Sequence, residues 1–360
     1  MSPAGVEVEG RSSLAGVMSI RIRIILVVLL ALSGAGIAAY WFHAAGLLRK
    51  GIDDFAAARR AEGWTVELSE PAMSGFPTRV NARLDSVTLR SPLGLAWSAE
   101  QLSVSVPLTS PLEPVVEAPG FHRLAGFGWS GVVSAKTLTA RPRLTLEGQL
   151  AALAVTGSAL ALEQAGYDPL ILDRVELGLD WPRPADHSHH AAFLTLRLEL
   201  DGLGLPDLTG LPFDRRVAAI RLNARMMGTP PDGGFATALA AWSGEGGTVE
   251  IDRALVEWAP LGLEADGTFA LDPGLQPLLS ASARVRGGGD LVTRLVAAGV
   301  IEPGAAEAAR FMLALMARPD PQGRPTLNMP LTLQDGVLTA GQFPLLRLPP
   351  LLPLPGVPTP

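Results

Sequence analysis

The residues best suited to metal chemistry lie in one short stretch, His187-Ser188-His189-His190, which directly follows Asp186. Imidazole and carboxylate groups are ligands that zinc and copper accept. However, the stretch follows Trp181-Pro182-Arg183-Pro184, a Pro-rich connection between two predicted strands, and histidine tracts in solvated loops also bind metals without a dedicated site. His187, His189 and His190 are therefore the candidate metal ligands, and a solvated loop is the interpretation we favour.

A catalytic serine commonly stands in a Gly-x-Ser-x-Gly turn between a strand and a helix. Ser74-Gly75 lacks this arrangement, and no helix signal follows it. Pro77 has a fixed φ and Gly75 a permissive backbone, which is typical of a turn that leads into a strand. We expect Phe76 to anchor that turn in the core and Arg79 to lie outside.

The remaining candidates for chemistry are weak. The chain has no cysteine, which excludes thiol nucleophiles, cysteine-based zinc sites and iron–sulfur clusters. Arg286-Gly287-Gly288-Gly289-Asp290 lacks the lysine and the spacing of a phosphate-binding loop, and we interpret it as a link to a helix that Asp290 caps. No carboxylate pair is singled out for glycoside hydrolysis. We expect no catalytic residue and no cofactor, hence no enzyme.

Tryptophan is the unusual aromatic residue of this chain, with seven tryptophans against two tyrosines. Most of them fall in or beside predicted strands, where aromatic side chains usually pack in the core. The alternative is a lining for a lipid or another apolar ligand. The candidate lining residues are Trp97, Trp129, Trp181, Trp258, Phe311 and Met312.

Residues 24–42 carry no charge and form a helix about long enough to cross ~30 Å of hydrocarbon. Arg21 and Arg23 precede this segment, and Tyr40 and Trp41 stand at its far end, where interfacial aromatic residues belong. A cleaved signal peptide is the alternative, and the length of the apolar run favours an anchor. Residues 1–23 would be a cytoplasmic tail, with Met1 or Met18 as the start, and residues 43–63 a helical stalk.

This anchor predicts an inner-membrane, single-pass protein whose bulk lies in the periplasm. A high hydrophobic content of 48% and a low charged content of 18% agree with a membrane segment and an extensive apolar interior. The net charge is −6, and no basic stripe is interleaved with aromatic residues. We therefore expect membrane lipid, and envelope proteins, as partners, and no nucleic acid.

The sequence pattern of residues 64–348 predicts a mainly β domain. Apolar and polar residues alternate in stretches such as 102–108, 174–181, 194–201 and 220–226, which is typical of antiparallel strands with one wet face. Turn signals lie between them, among them Asp266-Gly267, Asp272-Pro273-Gly274 and Asp335-Gly336. We predict a large antiparallel curled sheet that forms a groove, or a barrel-like sandwich.

A helical hairpin over residues 290–317 interrupts the β pattern late in the chain. Asp290 and Gly299 are positioned to begin and end its first helix, and Pro303 suits the first turn of its second. Four apolar residues of the second helix should pack against the sheet, namely Phe311, Met312, Leu315 and Met316. Residues 349–360 form a Pro-rich tail unsuited to a central strand.

Several of these segments together resemble a known family. They are Gly75-Phe76-Pro77, Ala254-Leu255-Val256-Glu257-Trp258-Ala259-Pro260-Leu261, Ala265-Asp266-Gly267-Thr268-Phe269-Ala270-Leu271-Asp272, and Asp335-Gly336 with Phe343-Pro344-Leu345. The chain resembles the envelope proteins called domain of unknown function 2125 over most of residues 24–350. More loosely, it is similar to AsmA-like and TamB-like envelope proteins, which implies an apolar groove and a link to phospholipid transport.

Three hypotheses on function follow. The first is a non-enzymatic, membrane-anchored envelope protein that binds or shields lipid, or another apolar ligand, in a groove of the sheet. The second is a structural or assembly factor that holds partner proteins through the Pro-rich tail and the outer sheet face. The third is a hydrolase that uses carboxylates or the histidine cluster. An open groove would separate the first hypothesis from the second.

Overall fold

The computed structural model describes residues 20–126, 128–182, 191–206, 212–231 and 235–348. Its helices are α1 (Ile20–Ala61), α2 (Phe235–Gly244), α3 (Gly288–Ala297) and α4 (Pro303–Met316). The early strands are β1 (Thr65–Leu68), β2 (Ala72–Ser74), β3 (Arg79–Leu84), β4 (Val87–Arg90), β5 (Ala96–Ala99), β6 (Leu102–Pro107), β7 (Val115–Glu117) and β8 (Gly120–Gly126).

Longer strands follow in the middle of the chain: β9 (Trp129–Leu144), β10 (Leu150–Glu163), β11 (Leu170–Asp180), β12 (Ala192–Gly204), β13 (Arg216–Met227), β14 (Thr248–Trp258), β15 (Leu261–Leu271) and β16 (Pro277–Arg286). The last strands are β17 (Arg318–Pro319), β18 (Pro325–Gln334), β19 (Val337–Ala340) and β20 (Phe343–Arg347). All of them belong to one antiparallel sheet, which confirms the predicted mainly β fold.

Helix α1 is continuous over 42 residues, about 63 Å, so the predicted anchor and stalk are one helix. It is the one helix of the described chain that is long and apolar enough to cross a membrane. Arg59 and Arg60 lie in its last turn, where they complement the negative end of the helix dipole. Gly63 then adopts a φ of 85°, and the N–H of Trp64 bonds to the carbonyl of Arg59, a left-handed helix end.

The sheet divides into two branches at β9. From the first half of β9, one branch continues through β8, β5 and β4 to β1. From the second half, the other continues through β7, β6 and β3 to β2. The second half of α1 contacts β1 and β3, one strand from each branch. The core lies here, because Ala56, Val66, Val80 and Leu84 are all buried.

Beyond β9 the sheet is a simple meander. Each strand from β9 to β16 pairs with the next, and β16 then pairs with β18, β18 with β19, and β19 with β20. The predicted turn at Asp335-Gly336 is confirmed, since both residues have positive φ and close a two-residue hairpin. The helices α3 and α4 form the predicted late hairpin, inserted between β16 and β17.

Two local predictions were wrong, and one helix was missed. Asp266-Gly267 is not a turn but the middle of β15, where a glycine is needed because a Cβ would lie 2.3 Å from the carbonyl oxygen of Ser280. Asp290 does not cap α3, which begins two residues earlier, after Gly287 at a φ of 82°. Helix α2 was not predicted at all, although its alanine-rich sequence suits a helix.

Candidate functional site

Three rows of mainly aliphatic residues cross the sheet from β10 to β18, and together we call them the apolar face. The central row is Val155, Leu177, Leu198, Leu222, Ala254, Ala265, Ala283 and Met329, each paired with the next. On one side lie Leu153, Leu179, Leu196, Ala224, Ile251, Gly267, Ala281 and Leu331. On the other lie Gly157, Val175, Leu200, Ile220, Val256, Leu263, Val285 and Leu327.

A bulge in β14 keeps the apolar residues of this strand aligned with the three rows. Ile251 and Ala254 are three residues apart, so strict alternation would place them on opposite faces. The pairing shifts between Asn223 and Ala224, which leaves Asp252 as the extra residue and sets both apolar residues opposite apolar partners. Arg225 holds Asp252 with two guanidinium nitrogens at 2.6–3.2 Å. The hydrogen bond and charge of Asp252 raise the pKa of Arg225 above its ordinary value.

Among the described residues, most of the apolar face has no second layer over it, and the α3–α4 hairpin lies only at the end with Val285 and Leu327. Leu177, Leu198 and Leu222 are only half-buried, and each substantial contact between strands joins hydrogen-bonded neighbours. Val80, Leu84 and Val87 are the most deeply buried branched aliphatic side chains of the described residues, and they lie on β3 and β4 rather than on this face. The described strands therefore form an open sheet with an apolar side, while the groove itself stays a prediction.

The opposite face of the same strands is charged. Arg221 pairs with Glu199 at 3.2 Å and also contacts Asp201. Arg253 pairs with Glu264 at 2.8 Å. Exposed ion pairs of this kind contribute little to stability, about 0–1 kcal/mol each. They do keep this face hydrated, so the sheet presents two chemically distinct surfaces.

Helix α2 closes one end of β13 and β15. Trp242 is 3% exposed, and its Nε1 donates to the carbonyl oxygen of Met227 at 2.8 Å. Gly247 lies against the indole, because a Cβ there would be 2.2 Å from a ring carbon. Ser243 donates to the carbonyl oxygen of Leu271 at 2.8 Å. Trp242 therefore ties α2 to the sheet through packing and through its indole N–H.

The α3–α4 hairpin lies at the other end. A cavity of about 580 Å³ opens between it and the sheet, and Val285 and Leu327 from the apolar face line it together with Leu313 of α4. The prediction that Phe311, Met312, Leu315 and Met316 pack against the sheet was wrong, since they are all exposed. Helix α4 instead buries Ala306, and its Leu313 lies beside Gly288 of α3 and Leu327 of β18.

The candidate tryptophans do not converge on one site. Trp97 and Trp129 line an apolar cavity of about 520 Å³ with Trp64 and Leu124, on the branch through β5 and β8. Trp181 follows β11, and its backbone N–H bonds to the carbonyl of Ala151. Trp258 stacks on Phe213 with ring centroids 4.3 Å apart. None of these four side chains belongs to the three rows of the apolar face.

The predicted metal ligands His187, His189 and His190 lie outside the described residues. Within the described ranges, no group of three or more histidine, cysteine or acidic residues is placed to hold a metal ion. His122, buried on β8, lies 2.9 Å from the carbonyl oxygen of Ala118 through Nε2, and Trp97 Nε1 donates to its Nδ1 at 3.4 Å. Both ring nitrogens of His122 thus have structural partners.

The turn at Gly75-Phe76-Pro77 also differs from its prediction. Phe76 is 56% exposed, so it does not anchor the turn in the core. Trp41 of α1 takes that role, at 8% exposure, packed against Val80 and Met73. Phe76 contacts the edge of the Trp41 ring from outside, with centroids 5.9 Å apart. Arg79 is exposed, as predicted.

Residues 41–349 match the family described as uncharacterized proteins conserved in bacteria, domain of unknown function 2125. The chain belongs to this family. The match begins at Trp41, the first residue of α1 buried in the core beside β3, and extends past β20. The family therefore comprises the branched sheet, the meander and the hairpin, together with the second half of α1.

Neither the search of curated proteins nor the search of solved structures found a match. The looser resemblance to AsmA-like and TamB-like envelope proteins consequently stays a prediction. The family itself is described without an activity, so a function for this member has to be argued from the apolar face.

Proposed function

We propose that this protein is a non-enzymatic envelope protein, anchored in the inner membrane by α1, that binds lipid or another apolar ligand on the apolar face. In this proposal, the sheet lies in the periplasm. The observation that carries the proposal is the continuous run of aliphatic residues from Val155 to Met329, most of which has no second layer over it among the described residues.

The dimensions of the apolar face suit a hydrocarbon ligand. Neighbouring strands lie about 4.8 Å apart, so the central row from β10 to β18 is about 34 Å long. The three rows, spaced by two residues along each strand, are about 14 Å across. Apolar surfaces of this extent lie at the upper end of those on soluble monomers and commonly mark interaction sites.

The chemistry of the face also favours alkyl chains. The side chains of the three rows have no hydrogen-bonding groups, so recognition would come from desolvation and dispersion. Each methylene group buried there contributes about 0.8 kcal/mol. An acyl chain lying across the rows gains in proportion to its length, whereas a polar ligand would lose hydrogen bonds to water without replacement.

Photocrosslinking in intact cells tests the proposal. Leu198 lies in the central row, and its neighbour Arg197 is on the opposite face. We would replace each in turn by p-benzoylphenylalanine in the full chain, irradiate the cells, and determine the mass of the purified protein. A lipid adduct at Leu198 that is absent at Arg197 is the expected result. Lipid adducts at neither position, or equally at both, would overturn the proposal.

The membrane topology has a separate test. An alkaline phosphatase domain, which is active only after export, would be fused after residue 348, and a cytoplasmic reporter would be fused there in a matched chain. Activity of the phosphatase alone is expected if α1 is an anchor with the sheet in the periplasm. The reverse result would contradict the proposed location.

Protein contacts are the alternative function, and β20 favours it, because among the described residues this strand pairs only with β19. Phe343, Leu345 and Leu346 are exposed on this last strand, and a free edge can accept a further strand. With p-benzoylphenylalanine at Leu345, this alternative gives adducts of one discrete partner protein. A lipid adduct at Leu198 without any protein adduct at Leu345 would favour lipid binding instead.

A further inference from the structure

The first turn of the sheet is fixed to the end of the apolar segment of α1. Nε1 of Trp41 donates a hydrogen bond to the carbonyl oxygen of Arg79 at 2.7 Å. The Trp41 ring is buried against Val80, with Ala45 of the same helix completing the cluster. Because the ring and its hydrogen bond both hold β3, this turn cannot move along α1 independently.

The contact between Trp41 and β3 also fixes the position of Phe76 along the axis of α1. Its ring lies 5.9 Å from that of Trp41, yet the side chain is 56% exposed at the tip of a tight turn closed by the N–H of Arg79 and the carbonyl of Gly75. The uncharged segment of α1 ends at Phe42, one residue after Trp41. Phe42 and Tyr40 are exposed around the helix at this level. Phe76 therefore lies level with the end of the apolar segment.

We propose that the turn Gly75-Phe76-Pro77 inserts into the interfacial layer of the bilayer that α1 spans, as a second membrane contact. This inference rests on the membrane anchor of the proposed function. The interfacial layer favours aromatic side chains, and Phe76 joins Tyr40 and Phe42 there. The exposed Arg79 follows in the chain, where its guanidinium can meet lipid phosphates. Helix and turn together fix the orientation of the sheet relative to the membrane.

The rival occupant of this surface is another protein. The membrane is favoured because Phe76 lies beside the end of the exposed apolar surface of α1, which includes Ile24 to Leu30, Leu32, Ile37, Tyr40 and Phe42. A protein partner at Phe76 would have to fit between the sheet and the bilayer surface. The depth of Phe76 in a membrane without any other protein separates these possibilities.

The absence of cysteine allows a direct measurement of depth. We would make Phe76→Cys, Leu32→Cys and Leu93→Cys in the full chain, label each with the fluorophore NBD, and reconstitute them into phosphatidylcholine vesicles with 5-doxyl or 12-doxyl lipid. Leu32 lies within the apolar segment and is exposed. Leu93 is equally an exposed turn residue, but its turn contacts Gly63 at the far end of α1, about 30 Å from Trp41.

The expected result is that label at position 76 loses most fluorescence to 5-doxyl lipid, label at 32 to 12-doxyl lipid, and label at 93 to neither. If position 76 behaves like position 93 while position 32 is quenched, the inference is overturned and the anchor stands. If position 32 is also unquenched, the anchor itself fails, and the inference fails with it. Thermal unfolding of each labelled chain verifies that it is folded.

Discussion

The indole N–H of Trp41 donates to the carbonyl oxygen of Arg79 at 2.7 Å, which joins α1 to the start of β3. Trp41→Phe keeps the apolar ring and loses this hydrogen bond, so we expect about 1 kcal/mol of destabilisation. Trp41→Ala also empties the cluster and should cost about 3–5 kcal/mol. Thermal unfolding of the full chain in detergent measures both.

Phe42→Ala is the matched control, because Phe42 is adjacent in sequence but 69% exposed. We expect its melting temperature to stay close to that of the unmodified chain. A loss as large as that of Trp41→Ala would show that the helix end is stabilised by something other than the Trp41 cluster.

On the apolar face, Leu198→Lys should remove ligand while leaving the fold intact. Leu198 is half-buried, so a lysine can extend its ammonium to water past the sheet, and we expect a cost of about 1 kcal/mol or less. The charge would sit in the central row, where an alkyl chain would have to desolvate it. Native mass spectrometry of the full chain measures the bound lipid, and Arg197→Ala is the control on the charged face.

At the α2 end, Gly247→Ala should destabilise the protein and Gly244→Ala should not. A Cβ at Gly247 would lie 2.2 Å from a carbon of the buried Trp242 ring, and overpacking of this kind costs about 1–3 kcal/mol. A Cβ at Gly244 meets nothing within 4 Å at the end of the helix, where alanine is the better helix former. Equal melting temperatures for the two variants would contradict the packing of Trp242 against Gly247.

The lowered pKa of Asp320, in the turn between β17 and β18, predicts that the stability of the protein depends on pH. Burial alone would raise its pKa, but the N–H groups of Arg324 and Gln322 and the Arg324 guanidinium outweigh this, so the pKa is lowered below its ordinary 3.8. Stability from the ionised carboxylate is therefore complete above the ordinary pKa and is lost as the pH falls through the lowered one. The melting-temperature difference between the unmodified chain and Asp320→Asn should shrink only below about pH 4.

Asp335→Asn is the control for that measurement, because Asp335 lies in the neighbouring hairpin turn with a φ of 51°, a conformation that asparagine also tolerates. Its melting-temperature difference is measured over the same pH range. A pH-independent difference for Asp320→Asn would contradict the role given to its charge.

Much of the sheet could be predicted from local pattern. The alternation around Leu177, Leu198 and Leu222 reveals strands with one apolar side, because successive side chains of a strand point to opposite faces. Asp335-Gly336 reveals its hairpin, because both residues tolerate positive φ. The uncharged run from Ile24 reveals the apolar helix by length and composition.

The contacts that distinguish the candidate site depend on distant parts of the chain. Alternation shows that Leu198 has an apolar side, but whether a second layer covers that side depends on how the other strands pack. The alternation of apolar and polar residues in the sequence does not reveal the bulge at Asp252, because the bulge is defined by the pairing of β14 with β13.

The aromatic residues show the same division. The sequence predicts Trp41 at the membrane interface and Phe76 in the core, and the structure reverses both. The structure buries Trp41 and exposes Phe76. The indole N–H of Trp41 reaches the carbonyl oxygen of Arg79, and its ring packs against Val80 of β3. Sequence alone thus determined the alternating strands, the hairpin turn at Asp335-Gly336 and the apolar helix, while tertiary packing decided which apolar side chains remain uncovered.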